Sequence, residues 1–144
     1  MDADLIIAEH YRSIIDSVNS GGVASLSEND RMIWYIVSAR CEKDMEGFES
    51  IFVQFVSEPE VAYLVDSLGM IDEPELAMLF DRAYQTLQQA GFYDQGSSSY
   101  YQLGDSLRRQ LKGIEDLIGD RLWGLDDKLV RLIEDNNLTR SQGD

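Results

Sequence analysis

The chain is poor in the residues that most chemistry needs. It has one histidine, His10, and one cysteine, Cys41, in 144 residues. A single cysteine excludes an internal disulfide, and one His with one Cys is too few for an ordinary zinc site. A Ser-His-Asp triad would have to use His10, and no GxSxG elbow accompanies it. GxGxxG and GxxxxGK[ST] are both missing, so the usual glycine-rich phosphate cradles are absent. The segment "DSLGMIDEPE" imitates a calcium loop. Its third and fifth positions are Leu68 and Met70, which offer no oxygen donor. No apolar run approaches the roughly 18 residues of a membrane span, and the opening "MDADLIIAEH" is acidic where a signal peptide is basic. The expectation is a soluble cytoplasmic protein with no cofactor and no metal.

Positive charge is scarce as well. Twelve Lys and Arg stand against 27 Asp and Glu, a formal net charge of −15. Neutralising phosphates requires clustered cations, so the composition argues against direct nucleic-acid binding and against anionic membranes. It allows a basic protein partner.

What is present is helical pattern. At 44% hydrophobic residues the chain is long enough and apolar enough to bury a real core. Ile7, Tyr11, Ile14, Ile15 and Val18 share one helical face, and "NSGG" stops that helix. Ser27 is placed as the N-cap of a central helix running to about residue 43. Phe48, Ile51, Phe52 and Phe55 form the next apolar stripe. Two similar phrases follow, "SEPEVAYLVD" and "DEPELAMLFD", fifteen positions apart and holding both prolines. Ser57-x-x-Glu60 and Asp72-x-x-Glu75 are capping-box patterns with Pro in the first turn. These predict helices over about 58–68 and 73–90, stopped by Gly69 and Gly91 in left-handed conformations. Leu107, Leu111, Ile114 and Ile118, then Leu125, Leu129, Leu132 and Ile133, mark two more helices beyond an irregular Gly/Ser/Tyr stretch. No sustained period-two alternation predicts a sheet. The architecture expected is all-α, a single compact bundle of six or seven helices over residues 1–138, with 139–144 as a frayed tail.

The residues with chemical potential have plainer structural readings. Cys41 lies in the central apolar helix and reads as a small core residue. Trp34, Tyr35, Phe48, Phe52 and Phe55 recur at helical spacing, as core aromatics do. Asp126 and Asp127 open the last helix, where the macrodipole favours acids.

The acids are unevenly placed. Between residues 44 and 81 there are ten acids and no Lys or Arg, so this block carries two thirds of the formal excess. Glu58, Glu60, Asp72, Glu73 and Glu75 fall at helix starts, which favour anions by about 0.3–1 kcal/mol each. Helix starts do not account for all of Asp44, Glu46, Glu49, Asp66 and Asp81. These five are the candidate partner-binding residues. Carboxylates three or four positions apart on a helix sit about 5–6 Å apart at Cβ. That spacing is of the order of the phosphate repeat along a nucleic-acid strand.

The stretches "DRMIWYIVSARCEKDMEGFESIFVQF", "YLVDSLGM" and "ELAMLFDRAYQTL" together resemble the bacterial DNA-mimic protein nineteen family, also catalogued as an uncharacterised domain family. The family's Asn-Gly-Gly-Phe turn corresponds to Met45-Glu46-Gly47-Phe48, followed by Phe52 and Phe55. Its Leu-x-x-x-Gly element corresponds to Val65 through Gly69, and "LDDKLVRLIEDN" resembles its last helix. The resemblance covers roughly residues 28–137. It implies an all-helical fold and, in one characterised type, an acidic homodimer that blocks the DNA-binding surface of a transcription regulator. The function expected is thus a non-enzymatic DNA mimic. An immunity-type inhibitor of a basic toxin is the alternative, since it would use the same electrostatics. An enzyme using a carboxylate pair would need a deep pocket holding two acids of raised pKa.

Overall fold

Helix ends follow local chemistry at most joints of the computed structural model, which describes residues 2–54, 58–91 and 104–143. Helix α1 (Ala3–Gly21) starts after Asp2, whose carboxylate accepts the Asp4 N–H at 3.0 Å. After a short 3-10 turn (Val23–Ser25), Ser27 caps α2 (Glu28–Glu46) by accepting the Asp30 N–H at 3.2 Å. Helix α2 passes the expected end at residue 43 and stops at Gly47, whose φ of 104° favours glycine. The remaining α-helices are α3 (Phe48–Gln54), α4 (Glu58–Met70), α5 (Pro74–Gln89), α6 (Asp105–Ile118) and α7 (Asp126–Gly143). A 3-10 turn at Arg121–Leu125 joins the last two. The fold is an all-α bundle, with seven α-helices and no strand among the described residues. Ser57 and Phe55 lie outside those residues, as does nearly all of the Gly/Ser/Tyr stretch.

The joint between the two similar phrases departs from expectation. Gly69 does not stop α4, which continues to Met70. The left-handed residue is Asp72, at φ 63°. Asp72 therefore does not cap α5. The cap position is Glu73, and its side chain makes no capping bond. Pro74 still opens the helix, where a missing N–H costs nothing. Gly91, at φ 77°, takes the left-handed conformation expected of it. Helix α7 runs on to Gly143, so its backbone is helical over 139–143, where fraying was expected.

Helix α2 is the centre. It packs against α1, α3, α4 and α7, α5 bridges α4 and α6, and α1 lies along α7. Ile33, Ile36 and Ala39 of α2 have no exposed surface. Fully burying an aliphatic or aromatic side chain contributes about 1.5–3 kcal/mol, so such positions dominate stability. Phe48 meets Phe52 edge-on with ring centres 5.4 Å apart and meets Phe80 at 5.7 Å. Of the aromatics expected in the core, Tyr35, Phe48 and Phe52 are buried and Trp34 packs, partly buried, against that core.

Polar ties fix how the helices sit on α2. His10 Nε2 lies 2.7 Å from Oδ1 of the buried Asp30, which gives the lone histidine a structural role between α1 and α2. Tyr11 Oη and Ser38 Oγ are 2.7 Å apart. Asn29 donates to the Leu132 carbonyl at 3.2 Å, and Lys43 donates to the Gly119 carbonyl at 3.1 Å. Asn29 meets Leu132 while Arg40, further along α2, meets Asp126, earlier on α7, so α2 and α7 are antiparallel.

Candidate interaction surface

The absence of bases within residues 44–81 does not persist in space. Lys128 of α7 donates to the Glu73 carboxylate at 2.7 Å and to the Asp72 carbonyl at 2.9 Å. Arg121 lies 3.0 Å from the Glu75 carboxylate. So Glu73 and Glu75, which helix-start chemistry alone accounts for in the sequence, are also tied to bases from the far end of the chain. The sequence separation of 55 residues between Glu73 and Lys128 hides this from any local pattern.

The five candidate acids behave differently. None of Asp44, Glu46, Glu49, Asp66 and Asp81 forms an ion pair among the described residues. Asp44 and Glu46 are exposed on the last turn of α2, either side of Met45, which is 78% exposed. Glu49 is half-buried on α3 and lines a shallow hollow with Arg108, Arg109 and Lys112 of α6, so it faces cations. Asp66 is exposed on α4, and Asp81 is half-buried on α5.

These positions do not form one array. The Arg31 guanidinium stacks over the Tyr63 ring at 4.4 Å, and Tyr63 meets Tyr35 at 5.0 Å. Burial pushes the Tyr63 phenol up, Arg31 pulls it down, and Glu28 and Asp66 push it up again. Asp66 therefore sits beside the N-terminal half of α2, while Asp44 lies at its C-terminal end. At about 1.5 Å per residue, Arg31 and Asp44 are about 20 Å apart along that helix. Asp66 and Asp81 stand on adjacent antiparallel helices, α4 and α5. Counting outward from the turn at Asp72, their heights differ by about 5 Å.

One carboxylate pair has a perturbed member. Asp4, at the start of α1, is raised above the ordinary carboxyl range by hydrogen bonding to Asp126 and by its negative charge. Asp126 in turn accepts from Arg40 at 2.7 Å. Asp4 is exposed and lines the rim of a hollow between α1 and α2 that Arg40 and Trp123 also line. Among the described residues no group of three or more His, Cys, Asp or Glu could hold a metal ion. Cys41 is half-buried, and burial followed by the charges of Asp44 and Glu42 pushes its thiol up, against the pull of Arg40. That makes it less nucleophilic than a free thiol. No described helix is long and apolar enough to cross a membrane. Neither a family model, nor a curated protein, nor a solved structure matches the chain.

Proposed function

We propose that the protein is an acidic interaction protein that occupies the basic face of a protein partner. One observation carries this reading. The chain ties Glu73 and Glu75 to its own bases yet keeps Asp44, Glu46, Asp66 and Asp81 without ion pairs among the described residues. Unneutralised carboxylates held on packed helices speed association with a positive surface and fix its register. The resemblance of residues 28–137 to the DNA-mimic protein nineteen family makes a DNA-binding regulator the partner class. Because the four acids occupy two places about 20 Å apart, the partner meets either the Asp66–Asp81 hairpin or the Asp44–Glu46 corner as its main contact. The hairpin, with its acids on two neighbouring helices, is the larger platform.

Affinity enrichment from the native host at low and high salt tests this. A specific partner is recovered at low salt and lost as salt rises. With that partner in hand, D66K combined with D81K weakens binding by about tenfold or more at low salt, for a loss of order 1.4 kcal/mol. Unchanged affinity in that variant, and equally in D44K combined with E46K, would refute the acidic surface. A toxin recovered in place of a regulator would assign the protein to immunity.

A further inference from the structure

A second hollow lies on the side of α2 that carries Trp34, Ser38, Glu42 and Met45. These positions follow i, i+4, i+8 and i+11, so they form one stripe along the helix. Tyr11 of α1, Val23 of the first 3-10 turn, Ile51 of α3 and Glu60 of α4 stand around it. It measures about 330 Å³, within the range of small-molecule sites. Tyr11 and Trp34 stack with ring centres 5.5 Å apart, so one wall is a double aromatic slab. Met45 is exposed at the rim.

Two carboxylates and no base line this hollow. Glu42 is half-buried and accepts from the Ser50 hydroxyl at 2.8 Å, a neutral partner that leaves its charge in place. Glu60 is half-buried and forms no ion pair among the described residues. Neither α3 nor α4 can bring a base, because residues 44–81 hold no Lys or Arg. Arg40 and Lys43 of α2 are turned to the C-terminal segment, where they meet Asp126 and the Gly119 carbonyl. Arg31, one turn before Trp34, is stacked on Tyr63 at 4.4 Å and does not line the hollow. Arg12 lines the separate hollow beside Trp123. The other polar groups are already matched, Tyr11 Oη with Ser38 Oγ at 2.7 Å. The hollow thus offers negative charge with aromatic and aliphatic contact, and few free acceptors. That suits a cation with no N–H donors to satisfy, which rings and carboxylates attract without hydrogen bonds. It does not suit a hard dication, which takes six or more oxygens.

We propose that this hollow binds a small methylated ammonium ion of the choline class. The trimethylammonium group lies against Tyr11 and Trp34, with Glu42 and Glu60 supplying the opposite charge. The net charge of −15 draws such cations in at long range. The site uses none of Asp44, Glu46, Glu49, Asp66 and Asp81, so it stands or falls apart from the acidic-partner reading.

Choline is the probe and Trp34 the reporter. The W123F variant leaves Trp34 as the only tryptophan, and its circular dichroism checks the fold. Choline should change Trp34 fluorescence saturably, whereas its uncharged isostere 3,3-dimethyl-1-butanol should bind about tenfold more weakly. E60Q should weaken choline by about fivefold and leave the alcohol unchanged. E42Q should do the same, since its amide oxygen still accepts from Ser50 and the fold keeps that bond. D66K combined with D81K should affect choline less than E60Q does. Equal affinity for the alcohol, unchanged choline affinity in both glutamine variants, or no saturable signal would each overturn the proposal. A peptide with one trimethyllysine that binds far more tightly than choline would overturn the free ligand and give the hollow to a protein side chain.

Discussion

The seam along α7 and the outer face of the α4–α5 hairpin treat charge in opposite ways. On the seam three charges have partners from distant parts of the chain. Arg40 meets Asp126, Lys128 meets Glu73, and Arg121 meets Glu75. On the hairpin, Asp66 and Asp81 form no ion pair among the described residues. The contrast teaches that a run of acids in sequence mixes two populations. One is neutralised within the fold, and the other has no ion pair among the described residues. Only spatial partners separate them.

Breaking the seam has the largest expected effect. Arg40→Ala removes the Asp126 pair, the Leu122 bond and the Trp123 stack together. It should cost about 3 kcal/mol in urea unfolding, low in the range for a broken buried pair because Asp126 is half-exposed. Lys128→Ala comes next. It frees the Asp72 carbonyl at the left-handed turn as well as Glu73, and a loss of about 1 kcal/mol is expected. A double-mutant cycle with Glu73→Gln would isolate the ion-pair share. If both variants unfold like the parent, the seam contributes nothing and the contrast collapses.

Smaller effects sharpen the comparison. Asp4 is raised in the folded protein, so the native state holds its proton at a higher pH than the unfolded chain does. Stability on this account is lost as pH rises from about 3.8, the ordinary value for this carboxyl, through the raised pKa, and stays lost above it. Asp4→Asn should therefore melt at a higher temperature than the parent near neutral pH and show no such advantage below pH 3.8. Melting curves from pH 3 to 7 read this directly. The smallest effect belongs to the hairpin. Reversing Asp66 and Asp81 to Lys should change stability by no more than about 0.5 kcal/mol each, because neither side chain holds the fold together. A large loss would make them structural acids like Glu73.

The helices and core were legible because both are local. Ile7 and Ile14, or Phe48, Ile51 and Phe52, declare a face through a 3.6-residue period that tertiary packing then obeys. Ser27 declares a cap for the same reason. The turn at residues 69–73 was misread because glycine is the cheaper left-handed residue, yet Asp72 takes that conformation. Lys128, bonded to the Asp72 carbonyl, supplies part of the reason. The site was less legible still. The pairing of His10 with Asp30, and of Arg40 with Asp126, depends on which helices become neighbours, and no spacing encodes that.

The antiparallel pairing of α2 with α7 also sets an order of events during synthesis. Asn29 waits for Leu132 and Arg40 for Asp126, separations of 103 and 86 residues. At about 5–20 residues per second, a ribosome needs on the order of 5–20 s to deliver those partners. Throughout that interval the nascent chain shows an apolar α2 flank with a cation and no cover. Apolar surface bared in this way during folding invites aggregation until α7 arrives to cover it.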